Sequence, residues 1–242
     1  MDTLSLKITY SPAYTLVPTY ECFNHCSYCN FRVQPGSDPW LSLDQAQATL
    51  DTLDVTEILI LSGEVHPKNQ RRSGWIQRIY ELCQLALTAG FLPHTNAGPL
   101  SLKEMTRLKQ VNVSMGLMLE QLTPALLDGV HRHAPSKQPS VRLKQLHWAG
   151  QLQIPFTTGL LLGIGETETD WAETLVAIAN LHQQYGHIQE VIFQPHQPGQ
   201  RQQKLAPPCD DSMLLKAVKM GRQLLPNDVA IQIPPNLVQA PD

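Results

Sequence analysis

Three of the chain's five cysteines, Cys22, Cys26 and Cys29, fall within eight residues in "ECFNHCSYCNFR", a C-x3-C-x2-C spacing. Thiolates are soft donors that suit zinc or iron–sulfur clusters. A structural zinc site asks for four protein ligands, often as paired C-x2-C knuckles, and here Cys83 and Cys209 lie far away in sequence. His25 could supply a fourth ligand, but in so short a loop its ring would be cramped between two thiols. Three thiolates on a cubane 4Fe-4S cluster leave one iron without a protein ligand, and an open metal position is what catalysis uses. A structural zinc loop and a helix face with thiols at i, i+4 and i+7 are the two bland alternatives.

The elements that must hold these thiols show in the hydrophobic pattern. Strand-like runs fall at 14–20, 57–63, 91–96, 111–119, 156–163, 189–194 and 229–233, with amphipathic stretches between them. Ser42 with Gln45 and Ser101 with Glu104 read as capping boxes that open helices, while Gly90 and Gly186 are placed to end two others, and a further helix precedes Pro226. The order is βα repeated about seven times, which implies parallel strands and right-handed crossovers. A doubly wound sheet or a β/α barrel would fit. No Pro- or Gly-rich linker divides the chain, so one α/β domain over 1–242 is expected, loosest at 194–211 where proline and glutamine accumulate.

Chemistry falls at the ends of these runs. The cysteine loop follows the first, "SGE" (62–64) closes the second, "HTN" (94–96) the third, Glu120 the fourth, "GIGE" (163–166) the fifth and "QPHQ" (194–197) the sixth. Barrels of parallel strands build their active sites from the loops at the C-terminal strand ends. Six such ends in succession predict one shared site at the mouth of a barrel, and hence an enzyme.

Composition narrows the setting. With 42% hydrophobic and 16% charged residues and a net charge of −3, the chain is ordinary globular protein with no electrostatic reason to bind nucleic acid or a membrane surface. No run approaches the roughly 18 apolar residues of a membrane span, and the first residues show no basic stretch followed by an apolar one. An odd cysteine count without a secretory signal argues for a reducing compartment, and the cytoplasm is expected.

C-x3-C-x-aromatic-C, with Tyr28 before the last cysteine, resembles the cluster loop of radical S-adenosylmethionine (SAM) enzymes. "SGE" is similar to that superfamily's "GGE", and "GLLLGIGE" (159–166) to its G-x-I-x-G-x-x-E segment, with Leu161 in place of the usual isoleucine. More narrowly, "VPTYECFNHCSYCNFR", "PHTNAG", "VSMGLMLE", "HRHAPSKQPSVR", "IPFTTGLLLGIGET" and "YGHIQEVIFQ" resemble, in that order, the radical SAM subunit of the 7,8-didemethyl-8-hydroxy-5-deazariboflavin synthase family. "QPHQPG" stands where that family often reads closer to "QNF", and the family usually continues through an eighth strand, whereas this sequence shows about seven.

The resemblance implies a partial or full TIM-like barrel of the radical SAM type, with about seven βα units present. It implies Cys22, Cys26 and Cys29 as ligands of a 4Fe-4S cluster, with SAM on the open iron. Ser62, Gly63 and Glu64 would receive the SAM amine, Arg142 its carboxylate, and Glu120 its ribose or amine. Tyr28, Gly163, Gly165 and Glu166 would line the rest of the SAM site. The implied reaction converts the adduct of tyrosine with 5-amino-6-(D-ribitylamino)uracil to the deazaflavin with loss of ammonia. His94, Asn96, His133 and Gln194 are the expected substrate contacts. An adduct-forming partner subunit and a reductant such as ferredoxin or flavodoxin complete the implied system.

A radical SAM enzyme with another substrate, or a non-catalytic iron–sulfur protein, are the competing functions. Blander expectations hold for single residues. His94 could cap a turn, "GIGET" could be a plain helix-start loop, Cys83 is expected in the core and Cys209 inert in a loop. Met115 and Met118 read as strand packing, and "KNQRRSG" (68–74) as a solvated lead-in to a helix.

Overall fold

A computed structural model of the chain describes residues 8–198 and 209–237. Seven strands form one sheet in sequence order: β1 (Ala13–Leu16), β2 (Glu57–Leu61), β3 (Leu92–Asn96), β4 (Ser114–Gly116), β5 (Phe156–Leu162), β6 (Ile188–Pro195) and β7 (Ala230–Gln232). Every neighbouring pair is parallel. Helices fill the crossovers: α1 (Leu43–Leu50), α2 (Arg72–Thr88), α3 (Leu102–Leu108), α4 (Ala125–Asp128), α5 (Pro139–Gln151), α6 (Glu168–Tyr185) and α7 (Asp211–Leu224). The sheet curls into a half-barrel that stays open, because β1 and β7 each pair on one side alone among the described residues.

All seven expected strands are present. The first is shorter than its apolar run, and the fourth narrows to three residues before the backbone continues as Leu117 and Glu120, whose N–H groups donate to Thr157 O (3.0 Å) and Gly159 O (2.9 Å). Both expected capping boxes form, and Thr167 with Asp170 makes a third at the start of α6. Gly90 and Gly186 follow α2 and α6 as expected. The part of the expected loose segment from 199 to 208 lies outside the described residues.

The core sits between the convex face of the sheet and the helices. Ile58, Ile60, Leu160, Leu162, Val191 and Phe193 meet Trp75, Ile79, Leu82, Leu175 and Ile178, all fully or almost fully buried. Each such side chain stabilises by about 1.5–3 kcal/mol relative to exposure. Cys83 belongs to this core, as expected, and donates toward Asn112 Oδ1 while touching Thr95 Oγ1 at 3.2 Å. Because strand residues alternate in direction, the partners of these core positions face the concave side. Leu59, His94, Asn96, Glu190 and Gln194 are therefore aimed into the hollow of the curl.

The basic run at 68–74 leads into α2 and is exposed, as expected, except at Arg72. Arg72 is buried, its guanidinium paired with both oxygens of Glu104 (2.8 and 2.9 Å), donating to Pro99 O (2.9 Å) and Val65 O (2.5 Å), and lying over the Trp75 ring. Arg71 pairs with buried Glu21 at 2.7 Å. A guanidinium offers five donors in a fixed fork, and here it fastens α2 to the loops that follow β2 and β3.

His187, at the entry to β6, is buried with Nε2 donating to Leu146 O at 2.9 Å and Nδ1 without a partner among the described residues. Burial, which opposes a second proton, lowers its pKa to about 4; His94 and His131 are lowered to about 4 by the same cause. Between pH 6.5 and about 4 the unfolded chain binds protons that the folded chain refuses, so this stability is complete above 6.5 and drains away as pH falls. The thermal midpoint is expected to drop across that window. His187→Gln should make the decline shallower, by on the order of 1–2 kcal/mol after allowing for solvent at the ring edge. Melting curves of both proteins from pH 7 to 4 measure it, and parallel declines would contradict this assignment.

Candidate active site

The loop after β1 carries the three clustered thiols and is tied to the frame by backbone hydrogen bonds. Cys22 N–H donates to Val33 O (3.3 Å) and Val33 N–H to Tyr20 O (3.0 Å), closing the loop on itself. Phe23 N–H donates to Glu64 O (3.0 Å), His25 N–H to His133 O (2.7 Å) and Ser27 N–H to Val130 O (3.0 Å). The loop is thus sewn to the end of β2 and to the segment after α4. Gly63 permits the first of these contacts, since a Cβ there would stand 2.1 Å from the Glu21 carbonyl oxygen.

Beneath the loop lies a set of alternating charges, Arg142 and Glu120 buried and Glu64 and Lys137 largely so. Glu64 accepts a hydrogen bond from Asn24 Nδ2 (2.9 Å) and faces Arg142 Nη2 at 3.6 Å. Arg142, almost wholly buried, also approaches Glu120 at 3.9 Å and donates to the carbonyls of Ser136 (3.1 Å) and Met118. Glu120 is paired with Lys137, which stands 5.6 Å from the centre of the Tyr28 ring. Burial pushes the Glu120 carboxyl up, but Lys137 and Arg142 outweigh it and hold the pKa below the usual carboxylate value. Gly98 makes room for Glu64; its φ of +77° is left-handed, and a Cβ there would meet the Glu64 carboxyl carbon at 2.4 Å.

The remaining expected site residues fall around this set. Ser62 turns its hydroxyl toward α2, where it accepts from the Trp75 indole N–H at 2.9 Å. Gly163 and Gly165 shape the loop after β5, and Glu166 folds back on it, accepting from Gly163 N–H (2.7 Å), Ile164 N–H (2.8 Å) and Trp171 Nε1 (3.1 Å). Glu166 holds the loop's shape with its own carboxylate. Cys209 is buried against Gly163, where burial pushes its thiol up to about 11. Tyr28 packs on a small apolar cluster of Leu126, Val130, Leu161 and Ile164, with its hydroxyl 3.1 Å from His131 Nε2.

His94 lies against Ser114 Oγ (2.7 Å from Nδ1), and Asn96 and Gln194 close their strands on the same concave side. His133 meets the cysteine loop through its backbone while its ring is exposed. His25 is exposed too and contacts Arg32 at 2.7 Å, turned away from the thiols. Lys137 was not singled out in the sequence; only its place three residues into the run before α5, facing Glu120, shows its role.

The donor set fits a cluster better than a single ion. Cys22, Cys26 and Cys29 are free and partly exposed. Among the described residues no three His, Cys, Asp or Glu side chains converge as ligands of one ion would. A cubane does not ask them to, because each thiolate meets a different iron. Burial raises the pKa of Cys22, and that of Cys26 to about 11, so these thiols keep their protons until a metal displaces them.

A family model described as the radical SAM superfamily matches residues 16–178. The 7,8-didemethyl-8-hydroxy-5-deazariboflavin synthase of Trichormus variabilis is 66% identical over 234 residues, covering 96% of this chain and 69% of that protein. The protein of the same name from Thermosynechococcus vestitus is 65% identical over 238 residues, covering 97% and 76%. Among solved structures, HydG, a maturase of the FeFe-hydrogenase, superposes with a TM-score of 0.77 at 16% identity, over 90% of this chain and 50% of HydG. SuiB of Streptococcus suis bound to S-adenosylmethionine gives 0.67 at 12% identity, over 93% and 51%. The chain spans about half the length of these two structures, and at such identities they speak to the fold alone. By its family match and its identity to these synthases, the chain belongs to the radical SAM superfamily and, within it, to the 7,8-didemethyl-8-hydroxy-5-deazariboflavin synthase family.

Proposed function

We propose that this chain is the radical SAM lyase that completes the deazaflavin ring system, converting 5-amino-5-(4-hydroxybenzyl)-6-(D-ribitylimino)uracil to 7,8-didemethyl-8-hydroxy-5-deazariboflavin with loss of ammonia. The carrying observation is the placement of three free thiols directly over a buried Glu64–Arg142–Glu120–Lys137 set in a chain 57–66% identical to synthases of that name. When bound, a 4Fe-4S cluster with SAM supplies the one-electron cleavage that yields a 5′-deoxyadenosyl radical able to take hydrogen from the substrate.

The chain's own residues hold and orient. Cys22, Cys26 and Cys29 would bind the cluster as thiolates, and the Lys137 ammonium beside Cys26 offsets part of the charge this creates. Glu64, fixed by Asn24, suits an ammonium group. Arg142 and Lys137 are the cations near enough to receive a carboxylate, and both pair with Glu120. Tyr28, Leu161 and Ile164 give a flat apolar wall, and the loop of Gly163 and Gly165, stiffened by Glu166, lies next to it. His94, Asn96 and Gln194 supply donors and acceptors for the uracil on the concave side, with His133 at the rim. Burial leaves His94 neutral at pH 7, so it offers one donor and one acceptor rather than a charge. An adduct-forming subunit would deliver the substrate, and a protein such as ferredoxin or flavodoxin the electron.

Cys26→Ala is expected to abolish both cluster assembly and SAM cleavage; iron content, visible absorption and a 5′-deoxyadenosine assay on the reconstituted protein measure this. A variant keeping either property would remove the assignment. Lys137→Met leaves buried Glu120 with Arg142 as its remaining cation, at 3.9 Å. The expected cost is about 3–5 kcal/mol in a denaturant titration of the cofactor-free chain, together with weaker SAM binding by calorimetry once the cluster is rebuilt. A loss below about 1 kcal/mol would show that the pair is not held dry.

A further inference from the structure

One cavity lies among the loops that follow β1, β2 and β3, beside the start of α5. It holds about 190 Å³. That is less than the roughly 300–1,000 Å³ of a pocket for a drug-sized ligand, and it suits a guest the size of one amino acid. Phe23, Pro67, Pro99, Pro135 and Val141 wall it, and it opens to solvent past exposed His66, whose ring meets Phe23 edge-on at 4.9 Å. Three polar residues complete the lining, Glu64, Arg72 and Ser136. No cysteine lines it, and of the four charged residues beneath the cysteine loop Glu64 alone does. Each of the three polar residues has hydrogen-bonding capacity left over. Glu64 accepts from Asn24 Nδ2 at 2.9 Å, while Arg142 stays at 3.6 Å. Arg72 commits four N–H groups to Glu104, Val65 O and Pro99 O, which leaves one on Nη1 among the described residues. Ser136 is buried, and its Oγ has no partner among the described residues. Glu64 and Arg72 do not pair with each other. An acid, a base and a hydroxyl left open between apolar walls complement a zwitterion with an apolar side chain, which is a free α-amino acid.

We propose that this cavity receives the free methionine that SAM cleavage releases, with its ammonium on Glu64, its carboxylate on the remaining N–H of Arg72 and its thioether chain against the proline walls. This rests on the function proposed above, in which Glu64 suits the ammonium of SAM itself. Uncleaved SAM does not fit the cavity, because its sulfonium is a charge that apolar walls reject and is tied to the adenosyl group. Cleavage removes the charge and the tether together. The neutral thioether then finds apolar cover beside the site where it formed, and the ammonium need not leave Glu64 to reach it. Ser136 Oγ is bonded to nothing in the fold, so turning it to the guest breaks no hydrogen bond. Because Glu64 serves both places, methionine held in the cavity competes with SAM.

The cavity includes no thiol, so methionine must bind the chain whether or not a cluster is present. Calorimetric titration of L-methionine into the cofactor-free and the cluster-loaded chain is expected to give the same Kd within about threefold, at about 1 mM or tighter. N-acetylmethionine, which lacks the ammonium, is expected not to bind. Val141→Phe, which fills the cavity, should weaken methionine at least about tenfold. Ser136→Ala should weaken it about fivefold. In the loaded enzyme the inhibition constant of methionine should rise by the same factors, while KM for SAM stays within about twofold of the wild-type value. Circular dichroism confirms that the variants are folded, and if Val141→Phe is not, Ser136→Ala decides. Methionine binding that requires the cluster, or that is unchanged in the variants, overturns the proposal. So does an equal rise in KM for SAM, which would make the cavity part of the SAM site. A loaded chain that binds methionine but cleaves no SAM overturns the function proposed above instead.

Discussion

Everything at the mouth of the half-barrel depends on burying two acids and two bases together. Glu64, Arg142, Glu120 and Lys137 sum to no net charge; Asn24 also holds Glu64, and the carbonyls of Ser136 and Met118 also hold Arg142. Taken singly, any of them would be expelled or neutralised, because an isolated buried ion costs far more than a hydrogen bond returns. Taken together they form a dry electrostatic frame with fixed positive and negative corners. A zwitterion carrying an amine and a carboxylate fits such a frame, and the thiols lie immediately above it. The cysteine loop, the end of β2 and the segment from α4 to α5 are all arranged around these four side chains.

The sheet explains how residues from distant parts of the chain reach that frame. Parallel strands in sequence order deliver every C-terminal end to one rim, so a residue just past each strand becomes a neighbour of the others. Helices α2 and α6 occupy the opposite, convex face and bury the large apolar side chains there. Stability and chemistry are therefore separated by face and by end. The Arg72–Glu104 pair belongs to the first function: it locks α2 to the loops beneath the rim through four hydrogen bonds from one guanidinium.

Much of this was legible in the sequence, for identifiable reasons. Continuous apolar runs bounded by capping boxes gave all seven strands and most helices, since burial on both faces leaves a strong local pattern. Helix α5 was missed because its inner face carries Arg142 and Gln145 rather than a clean apolar stripe. The same cause hid Lys137, whose partner Glu120 is 17 residues away and meets it only after the chain turns at Pro135. Within "KNQRRSG" only Arg72 departs from the expected exposure: it looks solvated until the acid that receives it, Glu104, is brought in by another helix. Long-range pairing of charges has no period, so pattern alone cannot announce it.

Tyr28 ties the cysteine loop to a small apolar cluster of Leu126, Val130, Leu161 and Ile164 that is separate from the main core. A region with its own modest core and a few backbone hydrogen bonds opens at lower free energy than the sheet it rests on. The thiols can then be exposed, loaded and re-covered while the seven strands remain folded. For a cofactor that must be assembled onto a finished protein, that separation is an assembly port. It also makes damage to the metal centre a repairable event rather than the loss of the whole molecule.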